Sequence, residues 1–149
     1  MKTPNGYEVI QLFESFSPKY LAEDGDPIGL QVGSLAKKVK KVIVALDVTE
    51  EVVDEAVNQG VDLIIAHHPL IFRPLKKIIP DQPAGRTIEK LIKNDIALYA
   101  AHTNLDIAEG GVNDMLADAL GLENTSVLKV THREKLYKLA VYAPTSAET

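Results

Sequence analysis

Apolar and polar positions fall into short blocks along this chain, and the period changes from block to block. Between Gly6 and Phe16 the apolar residues Tyr7, Ile10, Leu12, Phe13 and Phe16 stand at helical spacing, and Pro18 stops the helix they predict. The acidic, turn-rich stretch Glu23-Asp24-Gly25-Asp26-Pro27 comes next. Ile28 to Gly33 then alternates apolar with small or polar residues, as a short strand does, and its glycines permit a bulge or the close approach of another backbone. Val42 to Leu46 is wholly apolar and predicts a strand ending at Asp47. Thr49 is placed to cap a helix that carries Glu50 and Glu51 in its first turn and runs to about Gln59, where Gly60 closes it.

The apolar run Leu63 to Ala66 predicts a central strand, followed by a proline-studded loop from Pro69 to Pro83. A helix over Arg86 to Asn94, a strand from Ile96 and a helix from about Val112 to Leu120, closed by Gly121, complete the pattern. Strands and helices taken in turn predict a mostly parallel sheet covered by helices, with function gathered beyond the carboxyl ends of the strands. After Gly121 the character shifts. Val127 to Val130 and Leu136 to Tyr142 read as two further strands around the polar Thr131 to Lys135, where His132 is expected to be solvated.

Two strand ends carry the chemistry. The central run stops at His67-His68-Pro69, where the proline forces a break that lets two adjacent imidazoles share one site. The run from Ile96 to Ala101 is followed in the same way by His102, Asn104 and Asp106. Imidazole and carboxylate donors suit Zn, Fe, Mn or Ni, with His67, His68 and Asp106 each offering a ligand. His102 stands either as a further ligand or as a hydrogen-bond partner of one. A cation held with open positions acidifies water, so hydrolysis of a phosphoester, an amide or a ring C–N bond is the reaction class. Asp47 and Asn104 are candidates to contact substrate, Asp47 equally as a helix neighbour and Asn104 equally as a turn former. Tyr99 and Phe72 are expected in the core. The same histidines can instead be held by hydrogen bonds alone, and the residues leave both readings open.

The balance of the 149 residues narrows the partners. A net charge of −5 with no long basic run makes a nucleic-acid partner unlikely, and the absence of cysteine excludes thiolate ligands and a thiol nucleophile. No apolar run is long enough for a membrane span, and the expected location is cytoplasmic.

Four ordered motifs then resemble one family. Ile28 to Gly33, Ala45-Leu46-Asp47-Val48-Thr49, Ala66-His67-His68-Pro69-Leu70-Ile71-Phe72 and Ala101 to Asp106 are similar to the NIF-three-like family, whose members are often labelled GTP cyclohydrolase I type 2 homologues. The resemblance runs from about Tyr7 to Leu122. It implies a three-layer α/β/α domain assembling into ring-shaped homohexamers around a dinuclear metal centre. It places the first two metal-binding histidines at His67 and His68, the bridging-region aspartate at Asp106, and a histidine lining the site at His102.

The family closes its centre with a histidine and a glutamate four positions apart near its C-terminus. Here His132 is followed four residues on by Leu136. The chain is therefore expected to be the N-terminal portion of a longer protein, with residues 1–125 as the metal-binding domain and 126–149 opening an inserted one. Family members also commonly carry an aromatic before the Gly-Leu loop, where this chain has Asp24-Gly25-Asp26-Pro27. The function implied is a dinuclear metal-dependent hydrolase acting on a nucleotide-like small molecule. The alternative is a non-catalytic metal-binding ring scaffold or metal chaperone.

Overall fold

Asn5 opens the first helix, α1 (Gly6–Phe16), by a reciprocal cap: its side chain accepts the Glu8 N–H at 3.0 Å while the Glu8 carboxylate accepts the Asn5 N–H at 2.7 Å. In the computed structural model, which describes residues 2–130, 133 and 135–142, nine more short elements follow. A 3₁₀ turn over Lys19–Leu21 leads to β1 (Gly29–Val32) and β2 (Val42–Ala45). Next comes α2 (Glu50–Gln59), which starts at its Thr49 cap and ends on Gly60 in the left-handed region at φ 64°. Then β3 (Leu63–Ala66), α3 (Pro83–Lys93), β4 (Ala97–Ala100), α4 (Thr103–Ile107) and α5 (Val112–Ala119) complete the described elements.

The four strands form one sheet in the order β1-β4-β3-β2. The pairs β2–β3 and β3–β4 are parallel, while β1 runs antiparallel to β4 with a register shift between Leu30 and Val32. Of the two roles allowed to the glycines, close approach is realised at Gly33, while the register shift falls at Gln31 between them. The shift is a bulge, and Gly33, at φ +82°, comes so close to β4 that a Cβ would stand 2.9 Å from the Ala97 Cα.

Period-2 alternation sends β3 and β4 side chains into two cores. Ile64, Ala66 and Leu98 meet Val53 and Ala56 of α2 and Ile88 and Leu91 of α3 on one face. Leu63, Ile65, Ala97 and Tyr99 meet Ile10, Phe13 and Leu105 on the other. Every β3 and β4 residue is buried, so each large aliphatic there contributes about 1.5–3 kcal/mol relative to exposure. This is the three-layer α/β/α arrangement with a mostly parallel central sheet.

Two expectations are corrected, and one element was not anticipated. The third helix begins at Pro83 rather than Arg86, because a proline at the first helical position gives up only an N–H that would have no partner. The apolar pattern does not predict α4: the Leu105 and Asp106 N–H groups both donate to the His102 carbonyl, at 2.8 and 3.2 Å, and Thr103–Ile107 coils into one helical turn. Among the described residues, neither 127–130 nor 136–142 forms a strand. These segments are exposed and pair with none of the four strands. His132 lies outside the described residues.

Candidate metal centre

The end of β3 shows how two neighbouring side chains come to share a site. In a regular parallel strand only alternate N–H groups face a given neighbour. Here the His67 N–H donates to the Ala45 carbonyl at 3.0 Å and the next one, on His68, to the Leu46 carbonyl at 2.9 Å. The alternation is broken at His67-His68, just before Pro69, and the two rings come to rest edge to face with centroids 5.0 Å apart. The end of β4 delivers His102 to the same place, with ring centroids 5.3 Å from His67 and 5.8 Å from His68. One ligand atom from each of the three histidines lies within 4.8 Å of the other two.

Each imidazole also meets a carboxylate. His67 Nε2 is 3.0 Å from Asp106 Oδ1, reached across the single turn of α4. His68 Nδ1 is 2.8 Å from Asp47 Oδ1, at the end of β2. His102 Nδ1 is 2.9 Å from Asp26 Oδ1, in the loop before β1. Such pairs set the ring orientation and raise the basicity of the nitrogen left over. Burial pushes the Asp26 carboxyl up, but hydrogen bonds from Thr103 and His102 outweigh it and hold the group below the ordinary carboxylate value.

The site passes a test of its own for a metal. His67 Nδ1 is buried and has no hydrogen-bond partner in the protein. A buried ring nitrogen without a partner costs free energy unless something else meets it. With three imidazoles gathered together and carboxylates beside them, a borderline divalent cation fits this donor set. The cluster can bind a metal, and the three histidines are the group best placed to do so.

The other expected residues fall into place unevenly. Asp106 lies against His67 and Asp47 against His68, so both are part of the site. Asn104 is fully buried, and its amide donates to the Ser17 carbonyl and hydroxyl at 3.0 and 2.9 Å, leaving no exposed surface to offer a substrate. Tyr99 is in the core, with its hydroxyl donating to Glu14. Phe72, expected there too, is exposed instead, its ring centroid 6.4 Å from that of His102.

Two contributors were not singled out by the sequence reading. Asp26 is one. Gln31 is the other: its Oε1 accepts the Ile71 N–H at 2.7 Å and its Nε2 donates to the Pro27 carbonyl at 2.7 Å, tying the Asp26 loop to the segment after His68. Beside the cluster a cleft of about 890 Å³ opens against Thr103 and Asp106, with Val112 and Leu116 in its lining.

Comparison with known proteins identifies the family. The chain is 63% identical over 147 residues to the GTP cyclohydrolase 1 type 2 homolog of Bacillus subtilis, covering 99% of this chain and 39% of that protein. It is 48% identical over 128 residues to the protein of the same description from Streptococcus pneumoniae, covering 86% and 48%. The chain thus spans less than half the length of these relatives.

Among solved structures, a Bacillus cereus protein related to NIF3 superposes with a TM-score of 0.86 at 65% identity, over 89% of this chain and 36% of that one. Reduced HcgD from Methanocaldococcus jannaschii superposes with a TM-score of 0.77 at 43% identity, over 83% and 50%. The model of the family described as Duf34/NIF3 (NGG1p interacting factor 3) matches residues 4–148, nearly the whole chain, and the chain belongs to that family.

Proposed function

We propose that this chain carries the histidine-rich part of a divalent-metal-dependent hydrolase acting on a nucleotide-like small molecule. The observation that carries the reading is the cluster of His67, His68 and His102, whose ligand atoms lie within 4.8 Å of one another; the buried His67 Nδ1, without a hydrogen-bond partner among the described residues, supports it. In this reading His67, His68 and Asp106 hold the cation, which supplies the Lewis acidity that activates water. His102 moves a proton or orients the reacting group, and Asp47, exposed beside His68, orients substrate. The cleft beside Asp106 gives a small molecule room next to the cluster.

The names of the relatives, GTP cyclohydrolase 1 type 2 homolog, favour opening of a purine-type ring. A second metal, Zn, Fe, Mn or Ni like the first, would draw on donors other than these residues. The reading also includes a ring-shaped homohexamer in the cytoplasm, with residues 1–125 as the metal-binding domain and 126–149 as the start of another.

Zinc titration of the chelator-treated chain tests it. Saturable binding is expected, weakened about 10–100-fold or more in Asp106→Asn. Turnover on a panel of purine nucleotides should require the metal. Absence of saturable binding overturns the metal reading, turnover that survives chelation overturns the hydrolase, and metal bound without turnover favours the scaffold.

A further inference from the structure

The three histidine–carboxylate pairs differ in how firmly they are built. The Asp47 side chain is 57% exposed, whereas that of Asp26 is 5% exposed. Asp26 is gripped from two consecutive residues. Its Oδ2 accepts the Thr103 backbone N–H at 3.0 Å and the Thr103 hydroxyl, while its Oδ1 faces His102 Nδ1. The loop that carries it is anchored as well: the Glu23 N–H donates to the Thr103 hydroxyl oxygen, and Pro27, directly after Asp26, is held through Gln31 to the segment following His68. A carboxylate with this much hydrogen bonding stays ionised and can only accept, so the nitrogen of His102 that faces it must carry the proton.

We infer that Asp26 is the positioning residue of the metal centre: it fixes His102 as the Nδ1–H tautomer, so that Nε2 is the one lone pair the ring offers to the His67–His68 cluster. The inference rests on the metal reading above for its purpose, but not for its geometry. A neutral imidazole left to itself exchanges between tautomers, and in one of them it presents the wrong atom to a cation or a proton donor. Asp26 removes that choice. It also couples the ring to α4, because the same carboxylate that orients His102 caps the Thr103 N–H, three residues before Asp106.

Nitrogen-15 spectra of the histidine rings in the metal-free chain at about pH 8, with zinc titration alongside, test the inference. In the wild type, His102 is expected as the Nδ1-protonated tautomer. In Asp26→Ala its resonances should move to the Nε2-protonated form or to the exchange average, and zinc affinity should fall about 10–100-fold. Thr103→Val removes a hydroxyl bond to the same carboxylate without touching the ring, and should leave the His102 tautomer as in wild type. It separates loss of ring orientation from loss of a hydroxyl bond to the same carboxylate.

An Nε2-protonated His102 in the wild type overturns the inference even if Asp26→Ala does not fold. So does a tautomer unmoved by Asp26→Ala. A tautomer that follows Asp26 in a chain that binds no zinc upholds the inference and overturns the metal reading instead.

Discussion

β3 and β4 are alike as strands and unlike as exits. Both are four residues of buried apolar chain, paired in parallel, and both end beside the cluster. Beyond Ala66 the chain leaves through His67-His68-Pro69 with its backbone still pinned to β2, and His68 remains about half exposed. Beyond Ala101 it turns at once into α4, anchored by the wholly buried Asn104 and by Asp26. The first exit is shaped by a break in the ladder, the second by polar contacts that reach across the fold from Asn104 and Asp26. Mutations should therefore cost more stability at the second exit than at the first.

The largest expected effect is at Asn104. Asn104→Ala removes both bonds to Ser17 and leaves a buried carbonyl short of its donor, and it should cost about 2–3 kcal/mol in urea unfolding. Because α4 also carries Asp106, zinc binding should weaken with it. A loss under about 0.5 kcal/mol would mean that the second exit is not held by its buried amide.

Pro69→Ala probes the first exit and should cost less than about 1 kcal/mol, mostly through the extra freedom of the unfolded chain. The hydrogen bonds from His67 and His68 to Ala45 and Leu46 remain to hold the break. Zinc affinity should stay within a few-fold of wild type. A destabilisation as large as that of Asn104→Ala would erase the contrast between the exits.

The same contrast explains what could be read from the sequence. The β3 exit was legible because its signals are local: an apolar run, two histidines and a proline that cannot continue a strand. The cap at Thr49 and the stop at Gly60 were legible for the same reason. The β4 exit was not, because Thr103 to Ile107 has no helical periodicity of its own. Its helix is made by Asp26 and Ser17, which lie 77 and 87 residues away in sequence. Asp26 looked like one more acid in a turn, and only the fold shows what it accepts from.

Phe72 misled in the opposite direction: an aromatic suggests core, yet it stands exposed beside His102. The apolar residues after Gly121 misled likewise, since a strand needs a neighbour and period-2 patterning does not supply one.

The smallest effect lies at the opposite edge of the sheet, where neither exit is involved. Asp62, just ahead of β3, accepts the Lys40 and Lys41 N–H groups through its Oδ2 at 2.6 and 3.0 Å. Burial pushes its carboxyl up, but these backbone bonds, with the charges of Lys37 and Lys40, outweigh that and hold it below its usual value. A carboxyl depressed in the folded state stabilises fully at pH above its unfolded value, near 3.8, and loses that contribution as the pH falls through the folded one.

Asp62→Asn keeps an oxygen to accept both N–H groups and removes only the charge. At pH 7 it should therefore cost about 0.5 kcal/mol, screened as a partly exposed group is. The gap between wild type and variant in urea unfolding should hold from pH 7 to 5 and close below pH 4. Zinc affinity at pH 7 should be the same in both. A gap that widened on acidification would reverse the sign assigned to Asp62. A change in zinc affinity would mean that the two edges of the sheet are coupled, and that the exits are not set locally at the carboxyl ends of β3 and β4.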